Sequence, residues 1–126
     1  MENNKNEFFN PSDDIYFTYK GRLARKPFII RTIVFYVVIA LVYMMIVKCN
    51  FDKVIFSYIF IMPMIYAIFA NANRRFHDIG KSSKWTWVFF FSGSIIPILQ
   101  IVMYIYLFAK KGQVGPNQYG DDPLAK

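Results

Sequence analysis

Charge is missing from long tracts of this chain. No Asp, Glu, Lys or Arg occurs from Val54 to Asn73 or from Trp85 to Ala109, and Arg31 alone interrupts Ile29 to Val47. About 20 apolar residues wound as a helix cross the roughly 30 Å of bilayer hydrocarbon. Surface helices of a water-soluble domain carry a polar face. These tracts have almost none, which excludes an ordinary soluble domain. Cysteine is nearly absent: Cys49 is the single one. An intramolecular disulfide and a cysteine-rich zinc site are thereby excluded, and Cys49 reads as a small apolar residue near the end of the first tract. Histidine is limited to His77, so no pair of histidines can hold a metal. No cleavage site follows a short apolar core near the start, so the first tract is expected to act as an uncleaved anchor.

What remains is greasy and basic. The 126 residues suit one domain, and 56% of them are hydrophobic, with 14 Phe and 9 Tyr. Soluble domains hold about 45–50% apolar residues even with Gly counted. The expected fold is an all-α membrane protein: a bundle of three transmembrane helices at about 27–47, 54–73 and 85–109, an N-terminal interfacial segment and an irregular C-terminal tail. Residues 1–14 are expected to form a flexible tail, and 15–126 a single membrane domain. In residues 15–28 aromatics alternate with Lys20, Arg22, Arg25 and Lys26, a mix that suits the headgroup level. Pro27 fits the first turn of a helix, where its missing amide has no partner to lose. Arg31 is long enough to snorkel to the headgroups. Six residues, Lys48 to Lys53, join the first two spans, which makes them antiparallel neighbours, and Pro63 is expected to kink the second.

The third tract admits two readings. As one helix its 25 residues reach about 37 Å, long enough to span when tilted or kinked at Gly93 and Pro97. As a re-entrant hairpin turning near Ser92-Gly93-Ser94 to Pro97, each arm holds about 12 residues, too few to cross. The single bent span is the expected form. Net charge is +7, and bases beside short loops stay in the cytoplasm. With three spans, ten bases share the N-terminal side against five opposite, which puts the N-terminus in the cytoplasm and the C-terminus outside. With the hairpin the partition becomes thirteen against two, and both ends are cytoplasmic.

Three clusters punctuate the tracts: Gly21-Arg22-Leu23-Ala24-Arg25-Lys26-Pro27-Phe28, then Arg74-Arg75-Phe76-His77-Asp78-Ile79-Gly80-Lys81-Ser82, then Gly112 to Pro123. His77-Asp78 is the one pair that looks catalytic, yet neighbouring side chains on a helix do not face each other, and no nucleophile stands in a recognisable motif. Asp78 is expected to cap, or to pair with Arg22, Arg25, Arg74 or Arg75. Those four arginines with His77 and Asp78 form a candidate headgroup or structural charge cluster. Gly80, Asn117, Gly120, Asp122 and Pro123 read as structural turns. Neither a cofactor nor a metal is implied, and enzymatic activity is not expected. The expected partners are a bilayer with anionic headgroups and either a second copy or another membrane protein. Nucleic acid is not expected, because apolar blocks split the bases instead of leaving them on one face.

The order and spacing of these clusters around three apolar tracts resembles the domain-of-unknown-function family numbered 805, small bacterial inner-membrane proteins. That family has G-R-x-x-R-x-x-[FY] before its first span, R-R-x-H-D-x-G-x-S after its second and a G-x-x-x-N-x-[FY]-G-x-D-P-like tail. The resemblance covers about residues 17–123. It departs after Ser82, where Ser83-Lys84-Trp85-Thr86-Trp87 replaces Gly and a tryptophan pair. It implies a multi-pass protein of the bacterial inner (plasma) membrane and no reaction. A scaffold or accessory role is the expected function. The alternative is a small transporter or channel subunit working as a homo-oligomer, with Ser57, Asn71 and Gln100 on a shared axis.

Overall fold

The computed structural model describes residues 19–50 and 52–124. The expected flexible tail, 1–14, lies outside the described residues, as do positions 15–18 of the interfacial segment. Four helices follow: α1 (Arg25–Lys48), α2 (Lys53–Asp78), α3 (Lys84–Ile95) and α4 (Pro97–Ala109). Among the described residues there is no strand, only an isolated bridge between Asn117 and Gly120.

The chain enters and leaves these helices for local reasons. Pro27 sits in the first turn of α1 and Lys48 in its last, where a cation is favoured by the helix dipole. Asn50 turns the chain with φ 52. Asp52 then caps α2, its carboxylate accepting the amides of Val54 at 3.0 Å and Ile55 at 3.1 Å. At 1.5 Å per residue, α1 and α2 are about 36 and 39 Å long. These two helices are long and apolar enough to cross a membrane. The second runs five residues past its expected end at Asn73, so Arg74 to Asp78 are its final turn, not a loop.

The third tract is not one bent span. Helices α3 and α4 hold 12 and 13 residues, about 18 and 20 Å each, short of the hydrocarbon thickness. They fold back on each other. The rings of Phe89 and Tyr104 lie 4.7 Å apart, and Ser92 Oγ is 3.9 Å from Met103 Sδ. On a continuous helix, fifteen residues would separate Phe89 and Tyr104 by about 22 Å. The break is at Ile96, extended at φ −137 and ψ 90. Pro97 begins α4 where an amide is dispensable, and the Gln100 side chain lies against Gly93, where no Cβ obstructs it. The expected three-span bundle is therefore corrected to two long helices and a helical hairpin.

The hairpin returns Ala109 to the start of α1, where Arg25 Nη1 donates to its carbonyl at 3.2 Å. The start of α1, the end of α2, the start of α3 and the end of α4 thus meet at one proximal end. Leu23, Phe28, Ala72, Phe76, Ile79, Phe89 and Leu107 pack together there. A smaller cluster of Phe35, Ala67 and Ile68 lies further along. Exposed Tyr36 and half-buried Tyr104 satisfy each other through hydroxyls 2.6 Å apart.

Candidate functional site

The last turns of α2 organise the proximal end. Every residue from Ala70 to Ile79 is buried, and six polar or charged side chains would be costly there without partners. Arg75 and Asp78 stand three residues apart, so they share a face of the helix. Asp78 Oδ2 accepts from Arg75 Nη1. Its Oδ1 accepts from Arg22 Nε at 3.1 Å and lies 3.0 Å from Arg22 Nη2. The three side chains are between 0 and 4% exposed.

Each guanidinium continues into backbone. Arg75 Nε donates to Leu107 O at 3.0 Å, and Nη1 donates to Leu23 O at 3.2 Å. Its Nη2 donates to Lys110 O. Carbonyls at a helix C-terminus have no intrahelical donor, so Arg75 closes the end of α4. Arg22 donates to the carbonyls of Gln113 and Gly115. One carboxylate on α2 thereby fixes two arginines, and they hold α4 and the tail in place.

The tail lies across α2 in return. Gln113 N donates to Asp78 O at 2.7 Å. Gly112 permits this crossing, because a Cβ there would stand 2.0 Å from Asp78 Oδ2. Gly80 takes φ +85, and a Cβ there would strike the Gln113 side chain. Leu23 N donates to Arg74 O at 3.1 Å, which ties the segment before α1 to the same helix.

His77 faces away from Asp78. Its Nδ1 lies 3.2 Å from Gly21 O and its Nε2 3.2 Å from Ser83 Oγ. Its ring stacks on Tyr119 at 3.9 Å and 2°. Asn117 Nδ2 donates to His77 O at 3.0 Å and to Gln113 Oε1 at 2.8 Å, and its own Oδ1 accepts from Tyr119 N at 2.9 Å. Gly120 pairs with Asn117 across the turn. Asp122 accepts from Gly115 N and Leu124 N, both at 2.9 Å. The Leu124 amide first, then that of Gly115, holds the Asp122 carboxyl below the usual carboxylate range. Pro123 follows it in the same turn and lines a cleft against α1.

Of the candidate headgroup or structural charge cluster, Arg22, Arg74, Arg75, His77 and Asp78 are buried and Arg25 is exposed. Arg31, expected to snorkel, is covered by protein at 8% exposure. Sequence reasoning missed the clasp between α2 and α3, in which Thr86 Oγ1 donates to Asn73 Oδ1 at 2.9 Å while Asn73 Nδ2 donates to Tyr19 O at 2.9 Å. The signal was present: Asn73 and Thr86 are polar residues at the ends of tracts, and each needs a partner once buried. Among the described residues no three His, Cys, Asp or Glu side chains gather as a metal site.

A family model described as a protein of unknown function (DUF805) matches residues 16–121. The inner membrane protein YhaI of Escherichia coli strain K12 is 26% identical over 108 residues, which cover 86% of this chain and 87% of that protein. The protein of the same name from Escherichia coli O157:H7 matches to the same extent. No solved structure matches significantly.

Proposed function

The chain belongs to the DUF805 family of proteins of unknown function, and from that premise we propose that it is a non-enzymatic scaffold or accessory protein of the bacterial inner membrane. It crosses twice through α1 and α2, dips in and out with the α3–α4 hairpin, and keeps both ends in the cytoplasm. The observation that carries this reading is the reversal at Ile96, which returns Lys110 and Lys111 to the end that holds Arg22, Arg25 and Arg75. Thirteen of the fifteen bases then share one side, with Lys48 and Lys53 on the other, and such asymmetry marks the cytoplasmic face.

Occupancy of the polar groups supports the non-catalytic part. A general acid or base must reach substrate with a proton site open. Both Asp78 oxygens accept from arginines, and both His77 nitrogens sit at hydrogen-bond distance from protein. The transporter reading draws less support. Asn71, expected on a shared polar axis, turns inward with its Nδ2 3.3 Å from Thr32 Oγ1, whereas Gln100 lies against Gly93.

The test fuses alkaline phosphatase or a fluorescent protein that matures only in the cytoplasm to the C-terminus. Fluorescence without phosphatase activity is expected. Phosphatase activity would overturn the hairpin topology and restore three crossings.

A further inference from the structure

We propose that the cleft at the proximal end binds the phosphate of an anionic glycerophospholipid. The proposal rests on the reading above, in that this end lies at the membrane surface. The cleft measures about 980 Å³ and opens between the first turn of α1 and the tail from Lys111 to Leu124. Arg25, Lys26 and Lys111 are exposed on its walls. The carboxylates around it are mostly engaged. Asp78 is held by Arg22 and Arg75, and Asp122 accepts two backbone amides. Asp121, exposed at the rim, is the remaining acid opposite three cations.

Depth selects the ligand class. Arg25 begins α1 and Ala109 ends α4, and exposed apolar side chains begin just beyond, with Ile30 at 61% and Ile105 at 60%. Cations at that level stand where lipid phosphates lie, while the acyl chains continue along the apolar helices. The volume admits a glycerol headgroup along with its phosphate. A soluble phosphate ester presents the same chemistry, but it would leave the adjoining apolar surface of α1 and α4 unused.

The experiment titrates the full-length protein in neutral detergent micelles with phosphatidylglycerol or phosphatidylcholine and counts bound lipid by native mass spectrometry. One phosphatidylglycerol per chain is expected, with phosphatidylcholine much weaker. Each lysine near an anionic lipid contributes about fivefold in affinity, so Lys26→Gln with Lys111→Gln is expected to weaken binding about 25-fold. The control pair Lys20→Gln with Lys84→Gln removes the same charge from residues that do not line the cleft, and less than a threefold change is expected. Both pairs alter exposed side chains, so the fold is retained. Equal binding of the two lipids, or equal losses from the two variant pairs, would overturn the site. If glycerol phosphate or inorganic phosphate at millimolar concentration displaces the lipid completely, the ligand is a soluble phosphate and the lipid assignment fails. Micelles have no sidedness, so a wrong orientation in the fusion test leaves this result independent.

Discussion

The two halves of α2 are built in opposite ways. From Lys53 to Tyr66 no residue is buried, although the segment is almost wholly apolar; from Ala67 to Asp78 every residue but Phe69 is buried, and half of them are polar or charged. In water this would be an inverted protein. In a bilayer it is the sensible arrangement, because hydrocarbon solvates the apolar half without help, whereas buried polar groups must find one another. The difference shows where specificity resides. The distal half needs only to be greasy and long enough, while the proximal half needs particular partners at particular distances.

The sharpest way to break this comparison is to strand the buried cations. Asp78→Ala leaves Arg22 and Arg75 without their shared carboxylate, and removal of one member of a buried ion pair costs about 3–5 kcal/mol. The expected outcome is a large fall in the denaturant midpoint of the micelle-bound protein. A loss below about 1 kcal/mol would show that the proximal end is not held by this triad. A smaller contrast comes from volume. Ala70 is fully buried and Ile59 is 58% exposed. Ala70→Leu is expected to destabilise by about 1–3 kcal/mol through overpacking, whereas Ile59→Leu stays within about 0.5 kcal/mol. Similar effects at both positions would erase the distinction between the halves.

The smallest effect lies in the tail and is driven by pH. Asp122 has its carboxyl pKa depressed by the amides of Leu124 and Gly115. A carboxylate of this kind stabilises the fold above its unfolded pKa of about 3.9, and the contribution is lost as pH falls through the lower folded value. Exchange protection of the Gly115 and Leu124 amides is therefore expected to persist through neutral and mildly acidic pH and to fade only in stronger acid. Asp122→Asn is expected to remove that dependence, and an unchanged profile in the variant would refute the assignment.

The two long helices were legible because uncharged tracts report length and solvent directly. The pairing of Asp78 with arginines was legible to the level of a short set of candidates, from which the structure selects Arg22 and Arg75. What the tracts could not convey was the reversal at Ile96. A break at Gly93 and Pro97 fits a kink or a turn equally in sequence, and the choice depends on whether Phe89 gains more from meeting Tyr104 than from facing lipid. Charge partition pointed to the hairpin through Lys110 and Lys111, while length pointed to a third span. Length proved the weaker guide, since it shows what a segment can reach and says nothing about what it folds against. The end of α2 was misplaced for a related reason: Arg74 and Arg75 look like loop residues until the carbonyls of Arg22 and Leu23 before α1 and of Leu107 and Lys110 at the end of α4 are placed beside them.

Arg22 reaches the carbonyls of Gln113 and Gly115, 91 and 93 residues further along the chain, and this separation sets an order of assembly. Arg22 and Asp78 are synthesised before the backbone that completes their coordination. Until Gln113 and Gly115 follow, the growing chain has its two long helices and an open latch. A chain cut short before Gln113 would hold both long helices and lack the carbonyls that complete the latch.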